Sequence, residues 1–444
     1  RLIVQRGLEC IAQGEQVGVH ALIEAAGMSG RKLDSIDLAF GLAPRINAAG
    51  RLGQTDLAME LLLCDRQSQA MELAQQLNEL NEQRKALVDH IYEEINAKIA
   101  RHPEILQERV ILLYGEGWHH GVIGIAAARL VEEYSKPCVL FSIEEDQARG
   151  SARSVEGYSI IAAISRCSSL LTRYGGHDQA AGMTVPVEHL REFIDQMLQD
   201  AREHFDLMPV DQLKIDAVVD AEQLNLKTVY GMQQLRPFGC GNEQPVVAMP
   251  GCRIEAICPL SENRHLRLKL SYQGKSFSAI YFRMSPDRFP FYIGDTVDVA
   301  ANLDVNEYNG EKSVSVKIKD VRLHGVKQDK LVVGRQYYEK YCRHEPLEEK
   351  IREYICPQRE DVAGLYRFLR QCGGFAFGYD MLWCRLRGIN YCKMRICIDV
   401  MQELGLIERA RLSSSGEVAL RLPDKVVKTQ LDQSRILRQL KVGE

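Results

Sequence analysis

The chain contains no apolar run approaching the roughly 18 residues that a membrane-spanning helix requires, so no membrane role is expected. Its first residues, Arg1-Leu2-Ile3-Val4-Gln5-Arg6, carry neither a signal-peptide pattern nor an initiator Met, and that abrupt start reads as truncation. The 13 cysteines are scattered, odd in number and nowhere spaced Cys-x-x-Cys. Most sit in apolar contexts, such as Cys64 after Leu61-Leu62-Leu63 and Cys138 beside Val139-Leu140. Disulfide and zinc scaffolds are thereby disfavoured, and reduced, buried thiols of a cytoplasmic protein are expected. A net charge of -4 gives no general pull toward nucleic acid, so any such binding must come from local basic clusters. Metal-ligating carboxylates are also missing. There is no Asp-x-Asp, no Asp-His-His, and no His-x-x-x-Asp at a strand end. Two-metal phosphodiester hydrolysis needs several such ligands holding ions about 3.5–4 Å apart.

What is present is a globular composition, 45% hydrophobic and 26% charged, over 444 residues, enough for about three domains with cores of their own. Four segments of the first half are rich in Gly, Arg, Asn, His and Ser. They are Ala43-Pro44-Arg45-Ile46-Asn47-Ala48-Ala49-Gly50-Arg51, Gly117-Trp118-His119-His120-Gly121-Val122-Ile123-Gly124, Arg149-Gly150-Ser151-Ala152-Arg153-Ser154, and Tyr174-Gly175-Gly176-His177-Asp178-Gln179-Ala180-Ala181-Gly182. Read as loops, they form one phosphate-handling surface. Glycines let the backbone approach a ligand while arginine, hydroxyl and imidazole groups reach it.

The pattern orders these segments. Short helices fill residues 1–40, and a long helix is expected from about 56 to 100, where Leu73, Leu77, Leu80, Leu87, Ile91 and Ile95 recur at helical spacing. His90 within it reads as a surface residue. An α/β pattern follows, with strands at 109–114, 137–143 and 147–153 and helices at 124–134, 159–171 and 188–204. Ligands of α/β sheets bind outside the carboxyl ends of strands, where Trp118-His119 and Ser151–Arg153 would lie. Alternating strands at 252–257, 265–270, 276–282, 296–303 and 313–321 fit a five-stranded barrel of OB type. Arg267, Lys269, Lys317 and Lys319 fall on its outer faces, and Tyr272, Phe277, Tyr281 and Phe282 are either base-stacking groups or barrel core. Residues 325–353 read as a linker. Helices at 359–370 and 395–404, then a hairpin turning at Ser413-Ser414-Ser415-Gly416, suggest a winged-helix-like module. Arg385, Arg387, Lys393 and Arg395 make it locally basic, which suits nucleic acid or an acidic protein tail.

The candidate chemistry is anion binding. Arg153 with Ser151 offers a guanidinium fork and a hydroxyl to phosphate, unless Arg153 caps the next helix. Arg45, Asn47 and Arg51 recur in one Gly/Ala segment and would converge on a phosphate, unless they only pack and carry surface charge. His119, His120 and His177 could donate to a scissile phosphate or a departing oxygen. Neighbours on a loop diverge, so one of His119 and His120 at most would face the site. The chain can hold a phosphate but has no evident means of cutting one alone.

Taken together and in this order, these segments resemble the later motifs of the RecJ family of single-strand-specific DNA exonucleases in the DHH phosphoesterase superfamily. Leu235-Arg236-Pro237-Phe238-Gly239-Cys240-Gly241-Asn242 adds to the likeness, which covers about residues 1–325. The resemblance implies a multidomain α/β and β architecture. Its parts would be the end of a DHH catalytic domain (1–55), a connecting helix (56–102), a DHH-associated α/β domain (103–208), an OB-fold (209–325), a linker (326–356) and the winged-helix-like module (357–444). It implies hydrolysis of single-stranded DNA from the 5′ end in recombination and repair. Mn or Mg would be held by an amino-terminal domain that this chain lacks, leaving it inactive alone, as the carboxy-terminal portion of such an enzyme. Ser151 and Arg153 would grip the 5′ phosphate, with Gly175 and Gly176 beside them. Asn47, Arg51 and Arg45 would contact substrate phosphate, and His177 and His119 would face the scissile group. Single-stranded DNA is the implied partner, with a single-strand-binding protein or a helicase as further candidates. Two alternatives are a superfamily phosphoesterase acting on cyclic dinucleotides or short oligonucleotides, and a non-catalytic single-strand-binding protein.

Overall fold

The computed structural model describes all residues except 210–211, 376–377, 387, 412–417, 425–429 and 443–444. It divides into two units, Arg1–Gln212 with Gln234–Gln244, and Leu213–Gln233 with Pro245–Glu444. The segment 234–244 therefore belongs to the first unit, where Ser35 Oγ donates to Phe238 O at 2.5 Å. Among the described residues no helix is long and apolar enough to cross a membrane.

The first unit begins with α1 (Leu2–Gln13), α2 (Val17–Ala25), α3 (Ser35–Asp37) and a π-helical turn, Leu38–Leu42. Next come α4 (Ala43–Arg51), α5 (Thr55–Leu63) and α6 (Gln67–Arg101). The segment expected as a loop at 43–51 is thus a helix. Pro44 follows directly on the π-helical turn, and Ala48 and Ala49 are small enough to be fully buried. The single helix expected from 56 to 100 is two, because Cys64 and Arg66 adopt extended backbone between α5 and α6. At 35 residues α6 is about 50 Å long. His90 lies on its surface, 3.2 Å from Glu94.

A five-stranded sheet follows, built from β1 (Ile111–Glu116), β2 (Cys138–Glu144), β3 (Gln147–Arg153), β4 (Arg173–His177) and β5 (Ala180–Pro186), in the order β1-β2-β3-β5-β4. Only β1 and β2 are parallel, joined by α7 (His120–Tyr134). One face of β1 and β2 lies under α7 and the second half of α6, in a core of Ile91, Ile95, Ile111, Leu113, Val122, Leu130, Cys138 and Leu140. The opposite face packs on α8 (Ile160–Arg166) and α9 (Leu190–His204) through Val139, Phe141, Ala152, Ala181, Met183 and Phe193. The Gly-rich stretch 174–182, expected as a loop, is the hairpin β4–β5. Ser151 and Arg153, expected beyond a strand end, are strand residues.

In the second unit β6 (Ala217–Val218) and α10 (Leu226–Gln233) precede the barrel strands. These are β7 (Val247–Leu260), β8 (His265–Tyr272), β9 (Lys275–Tyr281), β10 (Thr296–Tyr308) and β11 (Glu311–Leu323). Antiparallel β10–β7 and parallel β11–β9 pairings close the barrel, the connectivity of an OB-fold. The strand β8 alternates as expected, Leu266, Leu268 and Leu270 inward and Arg267 and Lys269 outward.

The expected linker is instead folded. α11 (Gln328–Cys342) and α12 (Glu349–Ile355) bury Leu331, Tyr338 and Ile355, apolar anchors that outweigh the charges between them. They pack with α13 (Arg359–Cys372), α14 (Gly378–Arg385) and α15 (Tyr391–Glu403). A two-stranded β12 (Glu408–Arg411) and β13 (Val418–Arg421), then α16 (Arg435–Val442), complete the module. The turn anticipated at 413–416 lies outside the described residues.

Candidate phosphate site and nucleic-acid surfaces

Strand register assembles the site. Ser151 pairs with Gly182, which pairs with Gly175, and Arg153 pairs with Ala180, which pairs with His177. Directly paired residues share a face, so Ser151, Arg153 and His177 project from the same side of the sheet. Strands lie about 4.8 Å apart, which puts His177 about 10 Å across from Arg153. Between them the floor is Gly182, Ala180 and Gly175, and a Cβ added to Gly175 would meet nothing within 4 Å. Gly176 faces the other way. Its φ of +156° and an added Cβ 2.3 Å from Ala180 O require glycine there.

On β1 and β2 this face is covered by α7; residues 172–179, which include β4, are exposed. The wall between the covered and open parts is α7 at Gly124. Gly124 lies so close to the cradle that an added Cβ would stand 2.7 Å from Ser151 Oγ and 2.9 Å from Arg153 Nη2. Arg153 Nη1 donates to Ser151 Oγ at 3.3 Å and to Ala152 O at 2.7 Å. The structure thus gives Arg153 intrastrand partners and not the role of a helix cap. Arg51, at the end of α4, donates to Gly121 O at 3.0 Å. Burial, then the nearby Arg51 charge, lower the Arg153 pKa below the usual guanidinium value.

The imidazoles are held by their Nδ1 atoms. Trp118 is buried against Gly115, donates through Nε1 to Glu94 at 2.8 Å, and so fixes the turn before α7. His119 caps that helix, Nδ1 accepting from Gly121 N at 3.1 Å. His177 Nδ1 accepts from Gln179 N at 3.3 Å. Accepting at Nδ1 leaves the proton of a neutral ring on Nε2, so each presents a donor outward. His119 and His120 do not diverge as expected. Their rings stack at 5.2 Å, 19° apart, because His120 turns to Glu144 at 2.8 Å.

The other expected residues divide. Asn47 is exposed one turn before Arg51 on α4. Arg45 is committed inside the protein, to Asn78 Oδ1 at 2.9 Å and Gly41 O at 2.6 Å, where it ties the π-helical turn to α6. Among the described residues no three His, Cys, Asp or Glu side chains are grouped to hold a metal ion.

Two family models match the chain, the DHHA1 domain at residues 107–203 and the RecJ OB domain at 215–320. The single-stranded-DNA-specific exonuclease RecJ of Bacillus subtilis is 29% identical over 326 residues, covering 72% of this chain and 41% of that protein. The RecJ of Thermus thermophilus is 31% identical over 322 residues, covering 72% and 45%. The crystal structure of Thermus thermophilus RecJ in complex with Mg2+ superposes with a TM-score of 0.61 at 29% identity, over 73% of this chain and 49% of that one. A second structure of it, with Mn2+, gives 0.62 at 29% identity, over 73% and 46%. The chain is RecJ-like. It spans about half the length of the relatives it matches.

Two arginines on the site face of the RecJ-like chain were not among the residues expected from the sequence. Arg149 and Arg173 sit on the site face, paired through Thr184 in the next row along the sheet. Arg149 is 3.4 Å from Glu144, and Arg173 has no ion pair among the described residues. Their strand parity with Ser151 and with Gly175 was a usable signal.

The nucleic-acid features of the second unit also sort by burial. Tyr272 is 4% exposed, its hydroxyl donating to Val219 O at 3.0 Å, and Phe277 and Tyr281 pack on the barrel core. Only Phe282 of the four expected aromatics is exposed, at 48%, edge-on to His265. The basic cluster of the carboxy-terminal module is consumed internally. Arg385 is bidentate to Asp295 at 2.7 and 2.6 Å, and Lys393 is 3.5 Å from Asp361. Arg395 is stacked on Tyr338 and Tyr379, its centre 4.1 and 3.5 Å from their rings. Arg387 lies outside the described residues. The helix α15 that would read a DNA groove is buried between two cores, against α13 and α14 on one side and α11, α12 and α16 on the other. It is a core helix and not a recognition helix.

Proposed function

We propose that this chain handles the 5′ end of single-stranded DNA as part of a RecJ-type exonuclease. The alignment of Ser151 and Arg153 with His177 across β3, β5 and β4, over a floor of glycine and alanine, carries the reading. A guanidinium and a hydroxyl beside α7 suit a phosphomonoester, a group that distinguishes the end of a strand from its interior. Gripping it there fixes the polarity of degradation as 5′ to 3′. The open glycine floor admits the first nucleotide. His177, and His119 through its Nε2–H, would donate to oxygens of the next phosphate, where charge develops during cleavage. Asn47 and Arg51 would contact a substrate phosphate, and Phe282 would stack a base where the barrel clamps the strand.

Hydrolysis would use a divalent metal, Mg2+ or Mn2+, as the relatives crystallised with these ions suggest. The described residues do not form a site for it, and none of the roles assigned to them is that of a ligand. A role in recombination and repair, and a single-strand-binding protein or helicase as partner, remain consistent with such an activity.

The test is binding of 5′-phosphorylated and 5′-hydroxyl oligonucleotides of one sequence, with end-labelled strand and Mn2+ present so that cleavage is read in the same tube. The chain is expected to bind the phosphorylated strand more tightly, and Arg153→Ala to erase that preference. A ratio unchanged by Arg153→Ala would overturn the assignment.

A further inference from the structure

In the second unit a cavity of about 510 Å³ lies where the barrel meets the carboxy-terminal module, a size typical of small-ligand sites. Tyr292 lines it from the barrel; the rest of the lining comes from α13, the turn after it, α14 and β13. Phe368 and Phe375 form one aromatic wall, their ring centroids 6.2 Å apart at 51°. Tyr292 adds a third ring, 48% exposed, with the Arg385 guanidinium carbon 4.9 Å from its centroid. Since Arg385 is bidentate to Asp295, three residues after Tyr292, the ion pair holds that ring at the junction. The remaining cation is Arg421 of β13. It is exposed and makes no hydrogen bond or ion pair among the described residues, Glu408 opposite it on β12 included.

Aromatic faces beside an unmatched guanidinium are what a nucleotide of a single strand requires, stacking for the base and charge for the phosphate. The main-chain donors of the wall are already spent. The N–H groups of Gly373 and Gly374 both go to Leu369 O, and Phe375 and Leu420 exchange both backbone bonds at 2.9 and 2.8 Å. An extended peptide therefore finds no backbone partner there. One free guanidinium matches the single charge of an internal diester better than a terminal phosphate of about -1.5 to -2. The cavity opens to solvent at Cys372, Gly373 and Arg421, which admits a nucleotide still joined to its neighbours. Tyr292 also shares the connection between β9 and β10 with the exposed Phe282, and between them Phe289 and Phe291 anchor it to the barrel core.

We propose that this cavity takes one base of a single strand against Tyr292, Phe368 and Phe375, while Arg421 contacts an adjoining phosphodiester. The carboxy-terminal module then extends the strand path beyond the barrel. This rests on the reading of single-strand binding given above.

The experiment uses the full chain without divalent metal and a labelled oligothymidylate of about 20 nucleotides, longer than the site of one OB-fold. Affinity is measured over a range of KCl concentrations. Tyr292→Ala should weaken binding about tenfold, the worth of one stacked base, and leave its salt dependence unchanged. Arg421→Gln should weaken it and lower the slope of log affinity against log salt by about 0.7, one phosphate contact. In the wild type the oligonucleotide should slow alkylation of Cys372 by N-ethylmaleimide, read at that residue by mass spectrometry. Thymidine monophosphate at equal nucleotide concentration should not. Alkylation of Cys372 at one rate with and without oligonucleotide would overturn the proposal, as would a wild-type salt slope in Arg421→Gln. Equal protection by the mononucleotide would replace it with a free-nucleotide pocket, and protection by an acidic peptide alone with a site for a protein tail. No binding of the oligonucleotide by the wild type would sink the reading of single-strand binding itself. Alkylation of the wild type needs no variant, so it decides the matter even if Tyr292→Ala does not fold.

Discussion

Gly121 and Gly124 occupy the same helix, take helical dihedrals, and differ only in what an added methyl group would meet. At Gly124 the Cβ of alanine would stand 2.7 Å from Ser151 Oγ and 2.9 Å from Arg153 Nη2, both ends of side chains that can swing away. At Gly121 it would stand 2.1 Å from Arg51 O, a backbone atom that can move only with α4. Each substitution gains about 1 kcal/mol of helix propensity. Overpacking against backbone costs about 1–3 kcal/mol, so Gly121→Ala should end neutral to about 2 kcal/mol less stable, with a lowered thermal midpoint. Gly124→Ala should be neutral or slightly stabilising. Its effect falls on the phosphate cradle, because the methyl group displaces the hydroxyl and guanidinium. Losing one charge-assisted hydrogen bond is worth about 1.5–3 kcal/mol, or about 10- to 100-fold in affinity. The assay is thermal unfolding beside binding of 5′-phosphorylated and 5′-hydroxyl oligonucleotides. Gly124→Ala that keeps the wild-type preference, or destabilises as much as Gly121→Ala, would refute the close approach of α7 to the cradle.

Three further outcomes test the second unit. Phe282→Ala should weaken single-strand binding by about 1–3 kcal/mol, the worth of one stacked base, with the melting temperature unchanged; undiminished binding would remove Phe282 from the strand path. Burial alone would raise the Asp295 carboxyl, but the Arg385 guanidinium and the Tyr292 N–H hold it below the usual carboxylate value. A depressed carboxylate stabilises the fold above its unfolded pKa, near 4, and loses that contribution as pH falls through the folded value. Asp295→Asn should therefore destabilise the chain at neutral pH by about 1–3 kcal/mol, and the gap to wild type should close below about pH 4. In a double-mutant cycle Arg385→Met should cost little once Asp295 is gone, since 20% and 15% exposure make the pair's partners dependent on each other. Additive losses would show that the two side chains act separately.

The elements that were legible in the sequence are those whose pattern is set by one core. The barrel strands alternated because one side meets Leu266, Leu268 and Leu270 and the other meets solvent, and five alternations were enough to give the fold. The first half of the site misled for a related reason. Small residues in 43–51 and 174–182 looked like loop, yet Ala48 and Ala49 are small to let helices approach, and the glycines of β4 line an edge strand. Composition reports that bulk is absent, not whether the space is used by backbone or by ligand. The linker failed because a local density of charge hid Leu331, Tyr338 and Ile355, which are spaced too widely to form a run.

Burial decides what a basic residue can do, and it acts oppositely in the two units. Arg385, Lys393 and Arg395 looked like a nucleic-acid surface, but each has a carboxylate or an aromatic face at hand, and the helix carrying two of them is sealed between cores. Arg153 is part-buried beside the Arg51 charge, with a hydroxyl and a backbone carbonyl and no carboxylate as its hydrogen-bond partners. An arginine paired with a carboxylate or stacked on an aromatic face has its energetic reason inside the fold. Arg153 beside Arg51 is the arrangement that the phosphate proposed above would neutralise.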